Sequence, residues 1–130
     1  MKKEEIITII IMCIIIGIDI ITQKHLDKAV DSVSHELYSL KEQMVSEQEI
    51  QEEDLEKRTK DIYNNWKDKC IELSFFIEHE EMKEINLNLE KAITQLKTGQ
   101  KEEAITEINE GIYKLNYLKN KQKLNLSNVF

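Results

Sequence analysis

The hydrophobic pattern divides the chain into one unbroken apolar run followed by a series of amphipathic stripes. Residues 6–21 contain eleven isoleucines and a single charged side chain, Asp19. At the helical rise these sixteen residues span about 24 Å, so a ~30 Å hydrocarbon core would also take in Thr22 and Gln23. Each central Ile contributes roughly −0.3 to −0.6 kcal/mol to insertion, against about +3 kcal/mol for a central Asp. The run is predicted to be a transmembrane helix.

Two other interpretations of this run compete with a membrane span. A buried core helix would need apolar partners on every side, and no other segment is apolar enough to supply them. A cleaved signal peptide also begins with a short basic stretch and an apolar run. However, no small-x-small cleavage pattern follows Ile21, and Cys13 lacks the small preceding residue of a lipoprotein signal because it follows Met12. The run is therefore interpreted as an uncleaved signal anchor.

The anchor divides the chain into two predicted parts, a membrane segment over residues 1–23 and a water-exposed domain over residues 24–130. Lys2 and Lys3 favour an N-terminus inside the cell, although Lys24 and Lys28 flank the other end. We expect a single pass through the membrane with the N-terminus inside and the C-terminal domain outside. One domain of this length supports one hydrophobic core.

The first amphipathic stripe begins directly after the anchor. Its members follow steps of four and three residues, as one face of a helix requires, and are Leu26, Val30, Val33, Leu37, Leu40 and Met44. No helix breaker separates them from the anchor, so one helix is predicted to leave the membrane and enter the domain. Such a coiled-coil-like stripe can pack inside the same chain or pair with a second copy.

Three further stripes predict the rest of the domain. The second is Leu55, Ile62, Trp66, Cys70, Leu73 and Ile77, with Phe76 beside it; the third is Met82, Ile85, Leu89, Ile93 and Leu96; the fourth is Ala104, Ile105, Ile108, Ile112, Leu115 and Leu118. Ser46 and Glu49 fit a capping box that would start a helix. Gly99 predicts a helix end and hence a C-terminal helical hairpin.

Two parts of this pattern are ambiguous. Residues 52–97 form either one long bent helix or two helices, because no breaker lies between Ile77 and Met82. The tail, residues 124–130, alternates apolar and polar side chains and is predicted to lie extended along the bundle. The predicted fold is all-α: a transmembrane helix continuing into a small antiparallel helical bundle.

Composition supports helices and limits the partners. The chain has no proline and three glycines, and its net charge is −7, which disfavours broad nucleic-acid binding. Residues 112–130 carry four lysines and no acid, whereas residues 47–56 carry six acids and no base. Both runs are typical of solvated helix faces, and the basic end would also suit an anionic membrane surface.

The distribution of reactive groups predicts no enzyme, cofactor or metal site. His79 is followed by two acids, but a zinc-protease helix would need a second histidine where Lys83 stands. Cys70 lies on an apolar stripe, which indicates a buried thiol, and Cys13 lies in the membrane segment. No phosphate-binding glycine loop is present.

Three motifs resemble a known family. They are Trp66, the stretch Leu73-Ser74-Phe75-Phe76-Ile77-Glu78-His79-Glu80-Glu81, and the ending Leu124-x-Leu126-x-Asn128-Val129-Phe130. Together they resemble domain-of-unknown-function family forty-three sixty-three, short bacterial membrane-anchored helical proteins with an N-terminal span. In that family Ile-Asp tends to follow His-Glu-Glu, whereas Met82-Lys83 follows here, which argues against a shared carboxylate ligand set. The resemblance implies this architecture and a location in a bacterial cytoplasmic membrane, with the C-terminal domain outside, and it implies no activity.

The expected role is contact with the membrane and with other proteins, either a second copy or a membrane-protein partner. The candidate interaction face joins the first stripe to the aromatic segment and comprises Leu26, Val30, Val33, Leu37, Leu40, Met44, Trp66, Phe76 and His79. The alternative is a small-molecule-sensing bundle in which a ligand lies among Trp66, Phe76, Tyr113 and Tyr117.

Overall fold

The described residues fold into four helices. A computed structural model describes the backbone of residues 2–46, 50–74 and 77–129, and the side chains up to residue 121. The helices are α1 (Lys3–Val45), α2 (Glu52–Leu73), α3 (His79–Lys97) and α4 (Lys101–Val129). Over these ranges there is no strand, and the all-α prediction is confirmed.

The helices form an antiparallel ring. α1 packs against α2 and α4, and α3 packs against the same two helices from the other side. His25 at the beginning of the bundle part of α1 lies 3.1 Å from Glu72 at the end of α2, and Lys97 at the end of α3 lies 3.8 Å from Glu56 near the start of α2. This is the up-down-up-down arrangement of a four-helix bundle.

One helix contains both the apolar run and the first stripe of the bundle. α1 is 43 residues long and continues without interruption from the isoleucine segment into the first stripe, as predicted. The six stripe residues are each at most 2% exposed, and they face α2 and α4 of the same chain. Of the two possibilities for this stripe, packing within the chain is the one observed.

The predicted helix start at Ser46 is wrong. Ser46 instead ends α1, in an extended backbone conformation, with its hydroxyl donating to the Gln43 carbonyl at 2.8 Å. Glu49, the other half of the expected capping box, lies outside the described residues. α2 begins at Glu52, where three acids in the first turn favourably oppose the positive end of the helix dipole.

Residues 52–97 form two helices, which resolves the ambiguity between one helix and two. α2 ends at Leu73 and α3 begins at His79, with Glu78 in an extended conformation before it. Leu73, Ile77 and Met82 are all buried. Only a reversal of the chain direction brings apolar residues on both sides of this connection into one core, and tertiary packing outweighs the local helical propensity.

The other end of α3 is a Schellman motif. Gly99 has φ of +74°, its N–H donates to the Leu96 carbonyl at 3.3 Å, and the Gln100 N–H donates to the Gln95 carbonyl at 2.8 Å. The predicted stop at Gly99 is therefore confirmed. The prediction that the tail is extended is wrong, because α4 is helical through Val129. Adding residues to an existing helix is favourable, and the tail contains no breaker.

Replacing Gly99 or Gly111 by alanine should change the stability of the bundle in opposite directions. Gly111→Ala should raise the free energy of unfolding by roughly 0.5–1 kcal/mol, because a Cβ there meets Asn88 and Leu89 at ordinary distances of 3.9 and 4.0 Å and alanine favours helix. Gly99→Ala should lower it by about 1 kcal/mol, because a side chain disfavours a positive φ. Thermal unfolding of the full chain in detergent, followed by circular dichroism, measures both. Shifts of the same sign would contradict the different backbone roles of the two glycines.

Cys70 should be unreactive in the folded protein. The thiol is buried, and its desolvation raises the pKa of Cys70 to about 12. At neutral pH the reactive thiolate is therefore depleted roughly a thousandfold relative to an ordinary exposed thiol. In a Cys13→Ala variant, a water-soluble maleimide should label Cys70 only after denaturation. Rapid labelling of the native protein would contradict the buried position.

Candidate functional site

The apolar half of α1 is uncovered by the rest of the chain. It is the one helix among the described residues that is long and apolar enough to cross a membrane, and none of its most apolar 18-residue window is buried. The core-helix interpretation is therefore excluded. A helix near the N-terminus with these properties is either a membrane span or a signal sequence.

The predicted interaction face lies mostly inside the bundle. The stripe from Leu26 to Met44 is buried against the chain's own helices, and Trp66 is 0% exposed. Phe76 lies outside the described residues. His79 is the first residue of α3 and is exposed. Among the described residues the face is thus not one continuous surface, since the Leu26 to Met44 stripe and Trp66 form part of the core and His79 lies at a helix end.

The rings proposed to hold a ligand do not come together. Trp66 is in the core, whereas Tyr113 is 73% and Tyr117 is 57% exposed on α4. Tyr113 lies one turn from Tyr117, so both point away from the core. A ligand pocket among these three residues is therefore wrong. Sequence periodicity missed this because both tyrosines flank the fourth stripe and fall just outside its buried face.

No metal site appears in the described part of the chain. There, no three or more His, Cys, Asp and Glu side chains converge closely enough to hold an ion.

A groove lies between α1 and α2 at the end nearest the apolar helix. It encloses about 210 Å³ and is lined by His25, Lys28, Ala29, Ser32, Lys69 and Glu72. The His25 ring and the Glu72 carboxylate, 3.1 Å apart, connect its two walls. Sequence reasoning does not group these residues, because the two helices are about 40 positions apart in the chain and no local pattern relates them.

Three lysines of α4 are held within the bundle by polar contacts with other helices. Lys114 donates to the Asn88 side-chain carbonyl at 2.8 Å, Lys119 contacts Asp31 at 2.8 Å, and Lys121 contacts Glu81. Hydrogen bonding to Asp31 raises the pKa of Lys119, and hydrogen bonding to Glu81 raises the pKa of Lys121. The basic end of α4 therefore attaches that helix to α1 and α3, and these charges are already paired.

Asn88 is the centre of a polar cluster between α3 and α4. Its amide is 3% exposed, and its nitrogen donates to Glu107 at 2.7 Å and to Glu110 at 2.9 Å, while its oxygen accepts from Lys114. Both amide hydrogens and the carbonyl are thus satisfied. The cluster fixes the relative position of the two hairpin helices, because a shift by one turn would leave the buried amide unpaired.

These features define an all-helical protein in which a four-helix bundle is built on an uncovered N-terminal apolar helix. The chain belongs to the family described as "Domain of unknown function (DUF4363)", whose profile matches residues 20–129. The predicted resemblance is confirmed. The match covers the bundle and begins at the end of the apolar run. No curated protein and no solved structure matches the chain.

The Asn88 cluster predicts a pH-dependent variant. Asn88→Asp should lower the free energy of unfolding by roughly 1–3 kcal/mol at pH 7, because a third carboxylate would replace the donor to Glu107 and Glu110. The contact with Lys114 would offset this repulsion only in part, since one cation would face three carboxylates. Protonation of the introduced carboxyl relieves this repulsion, so the difference from wild type should shrink as the pH falls toward 4. Thermal unfolding across this range tests it, with exposed Asn109→Asp as the control. An equal loss at both positions would show that Asn88 has no special role.

Proposed function

We propose that this chain is a single-pass membrane protein that holds a non-catalytic helical bundle on the outer side of a bacterial cytoplasmic membrane and acts by contacts with other proteins. The observation that carries the proposal is the state of α1. Its isoleucine half is exposed on the chain's own surface, while its other half forms part of the core. A long exposed apolar surface of this kind is stable in lipid and not in water.

The uninterrupted helix also supports a permanent anchor. Removal of a cleaved leader near Ile21 would sever α1 within two turns of its first buried residue, Leu26. Retention of the run instead leaves the bundle directly connected to the membrane. The bundle then stands close to the lipid surface, where it can meet other membrane proteins.

Exposed aromatic residues support a role in protein contacts. Tyr113 and Tyr117 present their rings to solvent one turn apart on α4. Tyrosine is enriched among the residues that dominate binding energy at protein interfaces, because a rigid ring supplies a large contact area at little entropic cost. This pair therefore replaces the buried first stripe as the surface that we assign to a partner, either a second copy or another membrane protein.

Cysteine accessibility tests the anchor and its direction. In a variant lacking Cys13 and Cys70, we expect a single cysteine at exposed Glu103 to react with a membrane-impermeant maleimide in intact cells. One at Lys2 should react only after lysis. The protein should also stay in the membrane after an alkaline carbonate wash. Recovery of a soluble product that begins beyond Ile21 would refute the anchor, and the opposite labelling pattern would refute the direction.

Photo-crosslinking tests the tyrosine surface. A photoreactive phenylalanine analogue in place of Tyr117 should give a discrete crosslinked species in native membranes, and the same analogue at exposed Glu103 should not. A product of twice the chain mass would identify a second copy as the partner. Failure to crosslink at both Tyr113 and Tyr117 would contradict a contact at this surface.

A further inference from the structure

The groove between α1 and α2 lies at the depth of lipid headgroups if α1 spans the membrane. His25 follows Ile21 by four residues, which places it about 6 Å beyond the end of the apolar run. Glu72 contacts His25 and so lies at the same level, and Lys28 and Lys69 are one turn further out. The polar headgroup layer extends roughly 5–8 Å from the hydrocarbon boundary, within reach of flexible lysine side chains.

The chemistry of the groove suits an anionic group. Lys28 and Lys69 line it from opposite walls, and neither forms an ion pair in the described part of the chain, unlike Lys119 and Lys121 of α4. The Ser32 hydroxyl adds a donor. The lining contains one acid, Glu72, beside the His25 ring, so the two lysines outnumber the carboxylates in the groove.

Space for a ligand comes from a small residue. Ala29 lines the groove, is buried, and is smaller than the neighbouring buried residues Leu26 and Val30. A longer side chain at this position would reduce the groove's volume of about 210 Å³. That volume lies below the roughly 300 Å³ of the smallest typical ligand sites, so the groove suits a compact polar group such as a phosphate.

We propose that this groove binds the phosphate of an anionic glycerophospholipid headgroup, with Lys28 and Lys69 as the paired cations and Ser32 as an additional donor. The proposal rests on the membrane anchor proposed above. A lipid headgroup, and not a free phosphate, is the occupant assigned, because the groove lies within two turns of the apolar helix and opens at the level where headgroups are concentrated. Binding there would fix the rotation of the bundle relative to the membrane.

Titration of the full-length protein in detergent tests the site. The probes are short-chain phosphatidylglycerol, short-chain phosphatidylcholine and inorganic phosphate, and the readout is the amide chemical shift of Ala29 and Lys69 by NMR. Each lysine near an anionic lipid surface contributes about fivefold in affinity. Lys28→Gln with Lys69→Gln should therefore weaken phosphatidylglycerol binding by about 25-fold. The matched control is Lys57→Gln with Lys91→Gln, two exposed lysines further from the apolar helix, which should leave binding unchanged.

Each outcome decides the proposal. Saturable phosphatidylglycerol binding that is lost only in the groove variant supports it. Equal loss in the control pair shows non-specific charge attraction and overturns it, as does equal binding of phosphatidylcholine. Tighter binding of inorganic phosphate overturns the lipid assignment. Because the titration uses detergent-solubilised protein, a failure here is distinguishable from failure of the anchor, which the carbonate wash reports separately. Ala29→Leu, which fills the groove without removing a charge, should abolish binding while the helical content stays unchanged.

Discussion

The structure depends on the continuity of α1. A single helix carries both the uncovered apolar run, residues 6–21, and the core residues from Leu26 onward, and no hinge or turn separates the two parts. Because a helix is stiff over a few turns, the direction of the apolar part determines the direction of the first bundle helix. The other three helices are then arranged around that fixed element. The chain reverses direction between α2 and α3 near the point where the apolar run of α1 ends, since Glu72 at the end of α2 contacts His25.

Burial of apolar side chains holds the ring of helices together, and polar contacts determine its alignment. One core runs through all four helices, from Leu26 in α1 to Leu118 in α4. Exposed ion pairs such as the one between His25 and Glu72 add little stability in water. The buried Asn88 amide differs, because an unpaired partner there would be costly. The polar and charged groups thus determine how the helices are aligned along one another, and they contribute less to the stability of the bundle.

The proposed activities are arranged by distance from the membrane. In the proposed arrangement the apolar half of α1 would attach the protein to the membrane and the lysine-lined groove would lie at headgroup depth. The exposed tyrosines of α4 lie further along the bundle. Tyr117 lies two residues before Lys119, which contacts Asp31, and therefore stands roughly 15 Å or more beyond Ile21 along α1. Rotation of the bundle, fixed by lipid at the groove, would determine which neighbours the tyrosine face meets. Fold alone assigns no role, so these surfaces carry the functional hypothesis.

Local pattern was enough to determine the helical class, the apolar run, all six buried residues of the first stripe and the Gly99 stop, because periodicity and backbone preference act over a few residues. It failed where distant segments decide. The reversal before His79, the burial of Trp66 away from Tyr113, and the pairing of Lys119 with Asp31 all follow from how four helices share one core. The groove likewise exists only because the packing of α1 against α2 brings Lys28 and Lys69 to the same site. Contacts between residues so far apart in the chain cannot be predicted from the spacing of neighbouring residues, because only the tertiary structure brings those residues together.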